Sequence, residues 1–217
     1  MKLYKLTDAN GRTRNNTQWG ENITHTATGD VAQGLCSDAY IHAYENPLIA
    51  VLMNPVHGNF HNPRMYECEG KIAKRDGQLK CGCRTLTTIR EIPLPVVTTT
   101  QKVAFALLCV LDVYSEPSFV AWANDWLTGK DRSADAAWAA ARAAAWAAAW
   151  SEDAAAASWA AGAAAAAWSE EASAAEWAAR AAEWAARAAA ARAEAVAAAA
   201  AEKPIDFVSL AEKAMNY

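Results

Sequence analysis

The sequence predicts an α+β protein, with a small strand-rich head followed by an all-α region rich in alanine and tryptophan. Three observations carry this. Over the first 97 residues, short runs of β-branched and aromatic residues alternate with Gly, Pro and Asn turns. Residues 101–128 place apolar side chains at helical spacing. From 133 to 202, 43 of 70 residues are alanine, the strongest helix former. The expected organisation is a head (1–97), a buried helical hairpin connector (98–132), a helical repeat tract (133–202) and a C-terminal docking helix (203–217).

In the head, residues 3–6 alternate like a short strand, and Asp8-Ala-Asn-Gly11 is a turn. Residues 12–34 form a long polar stretch of the kind that carries function, and Trp19 within it argues for order. Pro47 suits the first turn of a helix over 48–53, which Asn54-Pro55 should stop. Residues 64–70 read as a strand, Gly77 as a turn and 79–83 as the returning strand. A third strand is expected over 85–92, closed by Pro93 and Pro95.

Thr100 is placed to cap a helix over 101–115, apolar almost all round and therefore buried. A second helix over 117–128 turns Phe119, Trp122 and Trp126 inward, and Gly129 stops it. The repeat tract then opens at Ser133, and Ser151 and Ser169 reopen it at 18-residue intervals. Eighteen residues are five helical turns, about 27 Å of rise. Trp150 and Trp168 therefore share one face, and Trp159 and Trp177 the opposite one. The heptad EWAARAA occurs twice, at 176–182 and 183–189, with Glu four residues before Arg in each. Each such pair supports a helix by about 0.3–0.5 kcal/mol. One long helix is favoured over three short ones, because neither Gly nor Pro forces a break at Ser151 or Ser169. In the last segment, Phe207, Leu210 and Met215 should dock an amphipathic helix.

Alanine cannot build a wide core, and seven indoles on two faces need cover. Trp138, Trp146, Trp150, Trp159, Trp168, Trp177 and Trp184 are accordingly the candidate oligomer interface, in a homo-oligomer built as a multi-helix bundle. Folding back within one chain and a hetero-partner are the alternatives.

Charge excludes some functions. The net charge of -4 divides unevenly: residues 1–100 hold 11 Lys and Arg against 9 Asp and Glu, and the remainder 9 against 15. Neither half has the dense basic stripe that extended nucleic acid requires. No apolar run is long enough to span a bilayer, and residues 1–5 lead into polar sequence rather than a signal-peptide core. Five cysteines, an odd number, fit a reducing cytoplasm better than a disulfide scaffold.

Candidate chemistry lies in the head. Arg12, Arg14, Asn16, Arg64 and Arg84, with His42, could line a site for a small anion, on which Trp19 or Tyr44 would stack. Arg90, Lys71, Lys74, Lys80 and Tyr40 could extend it, and scattered surface charge is the alternative. Cys68, Cys81 and Cys83 with His57 and His61 suggest zinc, but Cys81-x-Cys83 is tighter than C-x2-C and no second knuckle follows. Neither metal nor other cofactor is expected. Cys36 with His42 is a possible nucleophile pair, without a flanking motif. No phosphate loop, dinucleotide fingerprint or hydrolase elbow is present in the sequence.

The segments LCSDAYIHAYENPLIAVLMNP, NPRMYECEGKI and TTIREIPLP resemble an uncharacterised domain found at the N-terminus of phage and prophage proteins. Cys36, Ser37, His42, Ala43, Asn46, Pro47, Leu48, Glu67, Glu91 and Ile92 match its pattern; Ala39 replaces the usual Gly, and one residue is inserted before His42. The resemblance implies a phage accessory protein acting in the host bacterial cytoplasm, and it supplies no activity. The expected function is a non-enzymatic, oligomeric binding protein that sequesters a nucleotide-like defence signal or a host protein. An ADP-ribosyltransferase-like enzyme using His42, Tyr44 and Glu67 is one alternative, and a structural scaffold or adaptor the other.

Overall fold

The computed structural model describes residues 1–150, 160, 163, 164, 167 and 205–217. The chain divides into two compact units, Met1–Val96 and Val97–Tyr217.

The first unit is built on one long hairpin. β6 (Arg64–Asp76) and β7 (Lys80–Ile92) pair antiparallel and turn at Gly77, whose φ of +50° favours glycine. β1 (Lys2–Thr7) lies on the free edge of β6. The other edge of β7 is shared end to end by β4 (Ile23–Thr26), opposite Thr85–Thr88, and β5 (Ile41–Ala43), opposite Cys81–Cys83. Beyond β5, Tyr44 exchanges two backbone hydrogen bonds with Tyr4, both 2.8 Å. That bridge closes β1, β6, β7 and β5 into a small barrel. Closure needs strong bending, and register shifts after Glu67, Gly70 and Ile72 supply it. A short hairpin, β2 (Arg12–Thr13) and β3 (Thr17–Gln18), projects from the sequence after β1.

The head core contains Leu3, Trp19, Ala43, Tyr66, Cys68, Cys81, Cys83 and Leu86. Gly70 leaves room for it, since a Cβ there would lie 3.0 Å from Leu86 Cδ1 and 3.1 Å from Cys83 Sγ. The helix α1 (Pro47–His57) starts as the sequence predicts, with Pro47 in its first turn and the Asn46 side chain accepting from Leu48 and Ile49 N–H. It does not stop at Asn54-Pro55 but continues to His57. Pro55 falls in the last turn, where little helix remains to be broken. The stop is made instead by Asn54, whose side chain and carbonyl bind the backbone of Phe60, Gly58 and Asn59. The two strands expected over 79–83 and 85–92 are one, because β7 pairs with β6 on both sides of the register shift at Arg84 and Thr85, with Cys83 opposite Ile72 and Leu86 opposite Gly70.

In the second unit, α2 (Thr99–Leu111) buries eight successive residues from Val103 to Val110. Its cap is Thr98, in a capping box with Gln101, rather than Thr100. α3 (Pro117–Leu127) buries Phe119 and Trp126, leaves Trp122 half-buried, and ends at Gly129 with φ of +75°. Ser133 opens α4 (Ala134–Trp150), its hydroxyl accepting from Ala136 N–H. α5 (Phe207–Ala214) packs on α2, burying Phe207, Ala211 and Ala214, while Leu210 and Met215 stay half-buried. Gln101 Nε2 donates to Met215 O across this contact. The expected single long helix beyond Trp150, and the side chains of Trp146, Trp150, Trp159, Trp168, Trp177 and Trp184, lie outside the described residues. Among the described residues, no helix is long and apolar enough to cross a membrane.

Candidate functional site

Alternation along β1 turns Leu3, Lys5 and Thr7 to one face, and all three are buried. Lys5 is therefore an inward lysine, only 6% exposed. Its ammonium donates to His42 O at 2.8 Å and stands 4.8 Å from the centre of the Trp19 ring. Burial lowers its pKa to about 8. The thiols of Cys68, Cys83 and Cys81 lie close enough to oppose that shift.

From Lys5 a chain of contacts leads outward. His42 Nε2 lies 2.7 Å from Leu35 O, so a neutral ring with its proton on Nε2 satisfies that carbonyl. The next residue, Cys36, is exposed, and Lys80 Nζ donates to its Sγ at 3.2 Å. Lys80 is 8% exposed, and its nearest carboxylate is Asp76 at 3.9 Å. Burial is the largest cause holding the His42 pKa down, and the charges of Lys80, Lys5 and Arg14 lower it further. Three cations thus bear on one half-buried imidazole.

The loop between β4 and β5 carries this arrangement. Arg84 fixes both its ends, donating from Nη1 to Gly29 O at 2.8 Å and Ala39 O at 2.6 Å. Gly82 lets the loop lie close on β7, since a Cβ there would stand 2.9 Å from Tyr40 Cβ. Lys74 reaches the same loop at Gln33 O.

The candidate ligand residues separate into two groups. Arg12, Arg14 and Asn16 are exposed on the β2–β3 hairpin, where Arg12 Nε donates to Gln18 Oε1. Arg14 makes no direct contact with His42, and its charge is the smallest of the causes that lower the His42 pKa. Trp19 is not available as a surface stacking platform: it is 3% exposed, under Lys5, with Nε1 donating to Thr13 Oγ1. Tyr44 is likewise in the core, its hydroxyl on His57 Nδ1, and burial drives its pKa up. Arg64 forms a two-pronged pair with Glu91, and Arg84 is committed to carbonyls. Sequence reading missed Lys5. Its only local signal was that it shares strand parity with Leu3.

The three groups considered for an ADP-ribosyltransferase-like site have separate partners. His42 faces Leu35, Tyr44 faces His57, and Glu67 bridges Lys2 and Arg90. Tyr4 stands between Tyr44 and Glu67, pairing with one on each edge. Cys81 and Cys83 share a face, as their spacing predicts; Cys81 Sγ donates to Ala43 O, and the interaction between the two thiols raises Cys81 and lowers Cys83. Burial pushes the Cys68 thiol up to about 12. No group of three or more His, Cys, Asp or Glu suited to a metal occurs among the described residues.

No protein family, curated protein or solved structure matches the chain.

Proposed function

We propose that this chain is a non-enzymatic binding protein that assembles through its helical tract and holds a small anionic, nucleotide-like ligand on the Arg14–His42–Lys80 face of its head. The observation that carries the reading is the placing of two buried cations beside His42: Lys5 Nζ on its carbonyl, and Lys80 Nζ on Cys36, next to the Leu35 carbonyl that meets its ring. Excess positive charge around a neutral imidazole favours an anion, and an anion in turn favours protonating the ring. Arg14 is exposed and can close over a phosphate. The phage setting, and with it a host defence signal as the ligand, rest on the sequence resemblance alone.

Assembly is supported by Trp138. Its side chain is 46% exposed on α4, with Arg142 stacked 4.6 Å from the ring centre. Ala139 and Ala143 complete a shallow open depression beside it. An indole next to an alanine-lined hollow is self-complementary, as a two-fold contact between copies requires.

Calorimetric titration of the full chain with cyclic nucleotides and ADP-ribose tests the ligand. Binding is expected, with Arg14→Ala weakening it about tenfold or more, the scale of one lost charge-assisted hydrogen bond. No heat with any of these compounds overturns the reading.

A further inference from the structure

The head also contains a pair, Cys36 and Lys80, of which the ligand reading uses only Lys80. Cys36 is the one exposed cysteine, while Cys68, Cys81, Cys83 and Cys109 are all buried. Lys80 Nζ is 3.2 Å from its sulfur. The ammonium is held there by geometry: Lys80 lies on β7 with its side chain 8% exposed, so its stem is fixed. Gly82, two residues along, lets the Cys36 loop lie against the strand, and Arg84 pins the ends of that loop. Lys74 reaches the loop at Gln33 O. Of the nearby carboxylates, Asp76 is 3.9 Å from Lys80, and Asp30 caps the Ala32 N–H of its own turn. A thiol with a fixed cation at hydrogen-bond distance reacts more readily as the thiolate, the nucleophilic form.

We propose that Cys36 is a thiol-exchange site for small disulfides that carry carboxylates, of which glutathione disulfide is the simplest probe. The Cys36 thiolate attacks one sulfur of the probe. The S–S bond of the probe breaks, a Cys36–S–S–glutathione bond forms, and the second glutathione leaves as a thiolate that takes up the proton Cys36 released. Cys36 is oxidised, one glutathione is reduced, and no other oxidant is needed. Lys80 stabilises the attacking thiolate, and Lys80 with Lys74 attracts the carboxylates of the probe.

The exchange does not depend on nucleotide binding, because it is read as a mass adduct and binding is read as heat. The reduced full chain is treated with glutathione disulfide, and adducts are located by peptide mass mapping over time. The adduct is expected at Cys36, and Cys36→Ser abolishes it. Lys80→Met, which keeps the buried stem, should slow it about tenfold. A neutral disulfide should react more slowly and show weaker salt dependence. Equal rates in wild type and Lys80→Met overturn the proposal. If that variant does not fold, the wild type alone decides: a rate at Cys36 no faster than in the urea-unfolded chain, or one insensitive to salt, overturns it equally.

Discussion

Lys5 Nζ donates to the carbonyl of His42 at 2.8 Å, so the first strand reaches β5 through a buried ammonium as well as through the Tyr4–Tyr44 bridge. A charge in that position works against the fold. A lysine whose folded pKa is depressed favours folding above its unfolded value, here 10.5, and loses that contribution as pH falls through about 8. At neutral pH the burden is about 3 kcal/mol.

Lys5→Met should therefore gain most over the wild type at pH 7 and progressively less toward pH 10.5. The gain is offset in part by leaving His42 O without its donor. Urea unfolding followed by tryptophan fluorescence at the two pH values measures the difference. A gap that widens with pH contradicts the account.

Thiol accessibility should be sharply divided. In the native chain one cysteine of five, Cys36, should react with a thiol reagent, and all five after unfolding in urea. Cys68 adds a pH effect of opposite sign to that of Lys5. Its folded pKa is raised, so its contribution to stability is present below about 9 and is lost as pH rises through about 12. Cys68→Ala should make the alkaline limb of the stability profile shallower.

Gly70→Ala should destabilise the head by about 1–3 kcal/mol, because the added methyl meets Leu86, Cys83 and the Thr85 carbonyl within 3.1 Å. Denaturant midpoints measure it.

Replacing Arg84 by Met should free both ends of the loop between β4 and β5. Two charge-assisted hydrogen bonds to carbonyls are lost, so a fall of about 2–4 kcal/mol is expected. The loss should appear first as faster amide exchange at Gly29, whose N–H donates to Asp38 O within that loop.

Trp138→Ala tests assembly. A half-exposed tryptophan at an interface is commonly worth about 2 kcal/mol or more, roughly thirtyfold in affinity. Light scattering should show a mass above that of one chain for the wild type and a lower mass for the variant at equal concentration. A monomeric wild type would remove the assembly reading altogether.

The parts of the fold that were readable in sequence are those specified locally. The alternation over 64–70, the turn at Gly77, Pro47 after Asn46, and Gly129 after α3 each specify their element within a few residues. The short strands β4 and β5 were hidden, because neither is stable alone and both depend on the edge of β7. The same reason explains the site. Arg64 and Arg84 looked free because a sequence shows a charge but not its partner; Glu91 is 27 residues from Arg64, and Gly29 is 55 from Arg84. Trp19 looked like a surface ring because its neighbours are polar, yet Lys5 and His25 cover it. Cys36 and Lys80 are 44 residues apart, and only the docked loop brings them together.

The Tyr4–Tyr44 bridge has a consequence for synthesis. Both edges of β1 are taken by chain made later: Tyr44 on one side, and on the other β6, where Lys2 pairs with Glu69. β1 must therefore wait for the β6–β7 hairpin before it has a place. Until then β1 is an unpaired strand with Leu3 and Leu6 open to solvent, so the nascent head is most prone to mispairing with a neighbouring chain in that interval.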